Sequence, residues 1–169
     1  MRAVLSIAAT GIAGLVAAGP AQAEVRVTFV NPQSFADANL YAARPADQTS
    51  PTLVGLRRIF ERIGQDLPPG QVLLIEVLDV DLAGYFPPWQ VPNPSIRVME
   101  PTTWPRIRLR YSLSQEGRVV ASGEETLTDM TYLQRPEAVR SGAPLRFEEP
   151  MLLDWFADRF GTAGRLTRR

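Results

Sequence analysis

The sequence predicts an α+β fold in two layers, with a mainly antiparallel sheet of four or five strands and two helices packed on one face. Three patterns predict it. Residues Val72 to Leu78 form a nearly unbroken aliphatic run, which is typical of a central strand buried on both faces. Apolar residues after Pro51 recur every three or four positions, the period of an amphipathic helix. Residues 106–113 alternate between polar and apolar, the period of a half-buried strand.

Residues 1–23 predict a secretory signal peptide. Arg2 is followed by an uncharged stretch, residues 3–18, and then by Ala21-Gln22-Ala23, a small-residue cleavage site. The stretch is too short and too weakly apolar to span about 30 Å of hydrocarbon, so no stable membrane insertion is expected after cleavage. Cleavage after Ala23 would leave a single domain, residues 24–169 with a frayed end at 167–169, in the periplasm or secreted from a bacterial cell.

The composition excludes several chemistries. The chain has 18 basic and 18 acidic side chains, no Cys and no His, and every basic residue is Arg. Thiol catalysis, Ser-His-Asp triads, Schiff bases and imidazole or thiolate zinc sites are therefore impossible. The absence of a basic excess argues against a nucleic-acid partner. We expect no cofactor and no metal site.

The first half of the chain predicts a strand, a helix and a second strand. Residues Glu24 to Val30 alternate as a half-buried strand, and Pro51 opens a helix after Thr49 or Ser50 as its cap. The right-handed connection usual for such units makes this first strand parallel to the strand at Val72 to Leu78. That strand also carries Glu76, Asp79 and Asp81 in it or at its end, and each carboxylate would cost several kcal/mol to bury without a partner.

The second half predicts a hairpin that places arginines opposite glutamates. Residues Ile96 to Met99 have the pattern of a short edge strand. The next strand turns back at Glu116-Gly117. A two-residue turn puts Arg108 opposite Glu125, whereas a three-residue loop with a bulge puts Arg108 opposite Glu124. In both registers the other glutamate points at the core face, because neighbouring strand residues face opposite ways.

The return strand is expected to end near Tyr132, and a polar loop then leads to the last helix. Pro150 is expected at the first helical position and Gly161 directly after the last turn. The apolar face of this helix consists of Met151, Leu152, Trp155, Phe156 and Phe160.

Six blocks of the sequence form a recognisable order. They are Leu67-Pro68-Pro69-Gly70, Asp79-Val80-Asp81-Leu82-Ala83-Gly84, Ile96-Arg97-Val98, Pro105 before Tyr111-Ser112-Leu113, Glu125-x-Leu127-x-Asp129-Met130 and Met151-Leu152-x-Asp154-Trp155-Phe156. Together they resemble an exported bacterial family, domain of unknown function 3016, over almost all of the chain after Ala23. The resemblance implies an exported single domain with no assigned activity.

Asp79 and Asp81 are the first candidate site. They lie two apart on one strand face, which separates their carboxylates by roughly 6 to 7 Å. That spacing suits a glycosidase pair or a hard cation. The structural alternative, which we favour, is that they cap the following turn and pair with Arg97 or another Arg.

The loop from Tyr85 to Pro94 is the second candidate. Tyr85, Phe86 and Trp89 lie among prolines and would offer a rigid apolar platform to a glycan, a peptide or a partner protein of the cell envelope. Alternatively, Phe86 and Trp89 cover one end of the sheet. The row of Arg106, Arg108 and Arg110 would bind anionic envelope polymers, or it is paired with glutamates across the strands, which we consider the better interpretation.

These patterns favour a non-catalytic binding or assembly module of the cell envelope, with a partner that the sequence does not identify. The alternative is a carboxylate-dependent hydrolase, acting on a glycan or similar substrate, that uses Asp79, Asp81 and an Arg. The candidate binding residues are Tyr85, Phe86, Trp89, Asp79, Asp81 and Arg97.

Overall fold

The computed structural model describes residues 22–41, 44–89 and 96–161. Most of the predicted signal peptide, the end of the proline-rich loop at residues 90–94 and the predicted frayed tail therefore lie outside the described residues. No helix of the described ranges is both long and apolar enough to cross a membrane.

The described residues form an open, four-stranded mixed sheet. Its strands are β1 (Glu24–Phe29), β2 (Gln71–Asp81), β3 (Arg106–Gln115) and β4 (Arg118–Thr128), in the spatial order β1-β2-β3-β4. β1 runs parallel to β2, and the other two pairs are antiparallel. The predicted α+β class, the mainly antiparallel sheet and the parallel first pair are therefore confirmed.

In the part of the chain that the structure describes, three helices accompany the sheet: α1 (Pro51–Ile63), α2 (Pro136–Arg140) and α3 (Glu148–Phe160). α1 begins at Pro51 after Ser50, as predicted. α3 begins at Glu148, so the prediction that Pro150 opens the last helix is wrong. A proline is tolerated there because the first four N–H groups of a helix have no intrahelical partner. The short helix α2 was not predicted.

One face of the sheet packs against α1 and α3, which form the second layer. The ring of Trp155 on α3 meets Phe60 on α1 with a centroid separation of 6.3 Å and Tyr111 on β3 with a separation of 5.9 Å. Both contacts are edge-to-face, the arrangement that aromatic rings prefer. The buried core also includes Leu53, Leu56, Leu73, Ile75, Val77, Val80, Ile107, Leu109 and Leu152.

The prediction that β2 is buried on both faces is wrong. Leu73, Ile75 and Val77 are buried against the helices, whereas Leu74 keeps 42% of its surface exposed and Glu76 is half-buried. Because α1 and α3 lie on the same side, the other side of the sheet is left uncovered by them. We call this second side the open face.

A β-bulge at Leu78 decides where the acidic residues of β2 point. Val77 pairs with Leu109 and Asp79 pairs with Arg108, so Leu78 is the extra residue. One inserted residue reverses the alternation of side chains beyond it. Asp79 and Asp81 consequently lie on the open face, opposite Arg108 and Arg106.

A second irregularity sets the register of the hairpin. Gln115 pairs with Arg118, so the predicted two-residue turn at Glu116-Gly117 is confirmed, and both turn residues have the positive φ that such turns require. The ladder then shifts between Leu113 and Ser114, at Val120 on β4. The hairpin therefore contains both a two-residue turn and a bulge.

The shift changes the partner of Arg108. Both predicted partners, Glu124 and Glu125, are wrong as direct opposites, because Arg108 faces Thr126 and Arg110 faces Glu124. The expectation that one of the two glutamates points at the core is confirmed. Glu125 lies opposite the buried Leu109, is half-buried and accepts a hydrogen bond from Nε1 of Trp155 at 3.0 Å.

Two further expectations are corrected near the ends of the sheet. In the described part of the chain, residues 96–99 form no strand, and Val98 makes only an isolated bridge with Tyr85. β4 ends at Thr128, earlier than predicted. Tyr132 lies in a 3-10 turn, fully buried against Phe147 with ring centroids 4.9 Å apart.

We predict that Trp155→Ala lowers the free energy of unfolding by about 3 to 5 kcal/mol, the usual cost of removing a large buried aromatic ring. Leu153→Ala on the same helix is the control, because Leu153 is exposed and its loss should change stability by no more than about 0.5 kcal/mol. Urea unfolding of the two variants measures both values. Equal stability of the two variants would contradict the packing of α3 on the sheet.

Candidate functional site

The open face carries a row of opposite charges across β2 and β3. Glu76 lies opposite Arg110, Asp79 opposite Arg108 and Asp81 opposite Arg106. We call these six residues, together with Glu124 on β4, the charged ladder. It contains both aspartates of the first candidate site.

Within the charged ladder, Arg110 is held from both sides. Its Nη1 lies 3.0 Å from Oε2 of Glu76, and its Nη2 lies 2.9 Å from Oε2 of Glu124. Hydrogen bonds to Glu124 and Glu76 raise the pKa of Arg110 above its already high ordinary value. Because these groups are about half exposed, each pair contributes little to stability, but together they orient the side chains.

The other arginines of the row are also paired. Arg106 Nη2 lies 2.8 Å from Oδ2 of Asp81, and Arg108 Nη1 lies 3.5 Å from Oε1 of Glu124. The interpretation that the arginine row is paired across the strands is therefore confirmed. The surface presents fixed donors and acceptors in nearly equal number rather than an excess of positive charge.

A trough of about 580 Å³ lies on the open face beside the charged ladder. The exposed side chain of Leu74 lies in it, beside the small hydroxyl side chains of Ser112 and Ser122 on the neighbouring strands. Arg110 and Glu124 of the charged ladder line it as well. Arg26 and Thr28 of β1 line its other side. The trough therefore combines one apolar patch with guanidinium, carboxylate and hydroxyl groups.

A second pocket, of about 300 Å³, lies where β2 ends. The backbone of Asp37 forms an isolated β-bridge beside Asp81. The N–H of Asp37 donates to Val80 O at 2.9 Å, and its carbonyl accepts from Leu82 N at 3.0 Å. Both aspartates line the pocket, together with Tyr85, Thr102, Thr103, Trp104 and Arg106. The structure thus brings the predicted residues Asp81 and Tyr85 together.

Arg97 supports this end of the sheet and is not available to a ligand. Only 5% of its side chain is exposed, and its Nη2 lies 2.8 Å from Oδ2 of Asp37. Its guanidinium also donates to backbone carbonyls at 2.7 to 3.3 Å: those of Asn39, Leu82, Ala83 and Gly84. Its carboxylate partner is therefore Asp37, and neither Asp79 nor Asp81 pairs with it.

Asp79 and Asp81 have separate partners. Oδ1 of Asp79 accepts the N–H of Ala36 at 2.9 Å and so ties the segment after β1 to β2, whereas Asp81 pairs with Arg106. Asp81 thus pairs with another Arg, as the structural interpretation expected, whereas the partner of Asp79 is a backbone N–H of the segment after β1 rather than an Arg. In the described ranges, no group of three or more acidic side chains is placed to hold a metal ion.

The aromatic residues of the second candidate site differ in exposure. The Tyr85 hydroxyl donates to Oε1 of Glu100 at 3.1 Å, and this hydrogen bond raises the pKa of Tyr85. The ring of Phe86 lies 4.8 Å from the guanidinium of Arg97. Trp89 is 72% exposed. A binding role for these three residues stays a prediction, and Trp89 offers the largest free ring surface.

Sequence reasoning missed Glu148, the most buried carboxyl of the described residues. Its Oε1 accepts the N–H of Ala83 at 2.9 Å, which joins the start of α3 to the turn after β2. Burial raises the pKa of Glu148, and the hydrogen bond from Ala83 and the charge of Arg97 oppose that rise only in part. The sequence-based prediction began this helix at Pro150. A start at residue 148 would have placed Glu148 on the apolar face, because residues 148, 152 and 155 share one helix face.

Comparison with known proteins identifies a family. The family model described as "Protein of unknown function (DUF3016)" matches residues 23–158. No curated protein and no solved structure matches the chain.

We predict that Glu148→Gln becomes more stable relative to the unsubstituted chain as the pH rises above 4.5, the ordinary pKa of a glutamate. Gln keeps the oxygen that accepts the Ala83 N–H but cannot ionise. Glu148 has a folded-state pKa above its ordinary value of 4.5, so its unfolded state loses the proton first. The unsubstituted chain therefore loses stability relative to Glu148→Gln as the pH rises from the unfolded-state pKa of Glu148 to its folded-state pKa. The loss is about 1.4 kcal/mol for each unit by which the folded-state pKa exceeds the unfolded-state one.

Urea unfolding at several pH values measures this difference. Glu137→Gln, on the exposed surface of α2, is the control and should follow the unsubstituted chain at every pH. Parallel pH curves for Glu148→Gln and the unsubstituted chain would contradict the prediction.

Proposed function

We propose that this chain, which belongs to the family described as protein of unknown function DUF3016, is an exported, non-catalytic module that binds a glycan of the cell envelope. The observation that carries the proposal is the open face, where the trough around Leu74 adjoins the charged ladder. A concave surface with one apolar patch and a few oriented polar groups is the usual form of a ligand site.

The chemistry of the open face matches a polymer rich in hydroxyl groups. A hydroxyl both donates to a carboxylate and accepts from a guanidinium, so one ligand group is able to use either kind of partner. Glu76 and Arg110 present both kinds side by side, held 3.0 Å apart by their ion pair. The exposed Leu74 would contact the apolar C–H face of a sugar ring.

The balance of charge favours a neutral glycan over an anionic polymer. Arg106, Arg108 and Arg110 each have a carboxylate partner within the charged ladder. A phosphate or sulfate polymer would have to displace those carboxylates and would meet their negative charge. The paired arginines therefore do not favour binding of anionic envelope polymers, the alternative that the arginine row suggests when it is considered without its partners.

The hydrolase alternative finds less support. It requires two carboxylates directed at one substrate, but Asp79 accepts a backbone N–H from Ala36 and Asp81 is paired with Arg106. Their ordered partners favour a structural role for both. We therefore place the binding surface on the open face and leave Asp79 and Asp81 as its framework.

Export is the second part of the proposal, and two observations support it. β1 begins at Glu24, directly after the predicted cleavage site, and the family match begins at residue 23. Residues 24–169 would then form the exported domain, periplasmic or secreted. The chain has no Cys, so its folding would not depend on the disulfide chemistry of that compartment.

We predict that the exported protein begins at Glu24. Expression of the full chain in a Gram-negative bacterium, followed by amino-terminal sequencing of the periplasmic and culture-medium fractions, measures the cleavage site. A protein retained in the cytoplasm with Met1 or Arg2 at its terminus would contradict export. Ala23→Arg is the control, because a large charged residue at the cleavage site should block processing.

We predict that Arg110→Ala weakens binding to purified peptidoglycan by more than about fivefold in a co-sedimentation assay, the effect expected of a central contact residue. Leu74→Ala should also weaken binding, because it removes the apolar patch. Both residues are exposed, so their stability effects should stay small. Val139→Ala, exposed on α2, is the control.

Two outcomes of this assay would contradict the proposal. If the unsubstituted chain sediments neither with peptidoglycan, whose sugar backbone is uncharged although its stem peptides are not, nor with chitin, a neutral polymer of N-acetylglucosamine, the ligand class is wrong. If Trp89→Ala abolishes binding while Arg110→Ala and Leu74→Ala do not, the binding surface is the aromatic loop rather than the open face.

A further inference from the structure

β4 is the outer strand of the sheet and is paired on one side only. Its partner is β3, and among the described residues no backbone hydrogen bond joins its other side to any segment. Every second residue of such a strand directs its N–H and C=O outward, which makes the edge a template for another strand.

Most of this edge lacks the usual protection against pairing. The bulge at Val120 interrupts the start of β4, but from Ala121 to Leu127 the register is regular. That segment contains no Pro, and its core-facing charge, Glu125, is held against α3 by Trp155 and Arg159. A backbone segment of several residues is therefore free to accept an added strand.

An acidic pocket of about 300 Å³ lies against the same edge, lined by residues of β4 and α3. Thr126, Leu127 and Thr128 all line it, although neighbouring residues of a strand point to opposite faces. A pocket that meets consecutive residues lies along the edge of the strand rather than under one face. Asp154 and Asp158 of α3 form its opposite wall.

The charge of this pocket is negative. Arg135 pairs with Asp129 at 2.5 Å and with Asp154 at 2.7 Å. Burial alone would raise the pKa of Asp129, but hydrogen bonds from Arg135 and Thr131 lower it, so the carboxylate is ionised at neutral pH. Asp158 is exposed, and it forms no ion pair with any described residue. Three carboxylates therefore line the pocket with one guanidinium.

We propose that β4 binds an extended peptide as a fifth strand, with a Lys or Arg side chain of the peptide inserted into the acidic pocket beside Asp158. In this mode, main-chain hydrogen bonds supply affinity and a pocket for alternate side chains supplies specificity. The cationic side chain pairs with Asp158, which has no ion-pair partner among the described residues. This site is separate from the open face, and the proposal does not depend on glycan binding.

A second copy of this chain is the rival occupant. The core side of β4, which faces α3 and its aspartates, carries Arg118 as well as Ala121, Gly123, Glu125 and Leu127. A second β4 would therefore also bring a cation to this edge, and the oligomeric state of the chain distinguishes it from the peptide.

The test uses a peptide that carries fluorescein on its amino terminus, fluorescein-Gly-Thr-Val-Thr-Lys-Thr-Val-Thr-amide, and fluorescence anisotropy with the full chain. In an added strand, Lys and both Val residues lie on the core side and the Thr residues on the other. Replacing Lys with norleucine should weaken binding about threefold or more, and replacing it with Glu should weaken binding further. Equal affinity of the three peptides would overturn the proposal that the acidic pocket binds the Lys side chain.

Backbone methylation tests strand addition itself. An added strand donates alternate N–H groups to β4 and directs the others to solvent. One peptide is N-methylated at its even-numbered amides and a second at its odd-numbered amides. One of the two should lose binding, and the other should keep its affinity within about threefold. Loss of binding in both or in neither would overturn strand addition.

A substitution in the protein locates the cation. Asp158→Asn should weaken binding of the Lys peptide about threefold and leave the norleucine peptide unchanged, as a direct pair requires. Asp66→Asn, exposed in the turn between α1 and β2, is the control of equal charge. Equal losses for both peptides would overturn the pairing. A dimer in analytical ultracentrifugation that excludes the peptide would assign the edge to a second copy and overturn the proposal.

Discussion

The central constraint in this structure is that β2, an inner strand of the sheet, carries three carboxylates although one face of the sheet is packed against an apolar core. With strict alternation, Glu76 would point to the open face and Asp79 to the core, where an unpaired charge costs several kcal/mol. The bulge at Leu78 removes this conflict by reversing the alternation. Asp79 and Asp81 then lie half-buried on the open face, opposite Arg108 and Arg106, and Val80 takes the core position between them.

The second bulge, at Val120, decides which of the two adjacent glutamates of β4 faces the core. It directs Glu124 to Arg110 on the open face and Glu125 to the core side, where Trp155 and Arg159 engage both carboxylate oxygens. Glu125 thereby connects the edge strand to α3. The two bulges together produce an open face of paired charges and a helix-covered face of apolar and aromatic side chains. The glycan surface and the peptide edge proposed above both depend on this division.

Two buried ionisable side chains, Arg97 and Glu148, hold the turn after β2 in place. Arg97 donates to the carbonyls of residues 82–84 and pairs with Asp37, while Glu148 accepts the N–H of Ala83. Backbone groups in a buried turn need such partners, because a buried polar group without one costs about 1 to 3 kcal/mol. Arg97 thus acts as a structural residue, and α3 is tied to the sheet at its first residue.

The sequence by itself determined the α+β class, β1 parallel to β2, α1 from Pro51, the turn at Glu116-Gly117 and a core-facing glutamate in the hairpin. These features follow from local periods, turn residues and caps, which a single chain segment carries. It also indicated that Asp79 and Asp81 require partners. Only the tertiary structure decided which partners they have, because the register depends on bulges at Leu78 and Val120 that no local pattern marks. It likewise decided that Leu74 is exposed and Glu148 buried, because burial depends on which face of the sheet the helices cover.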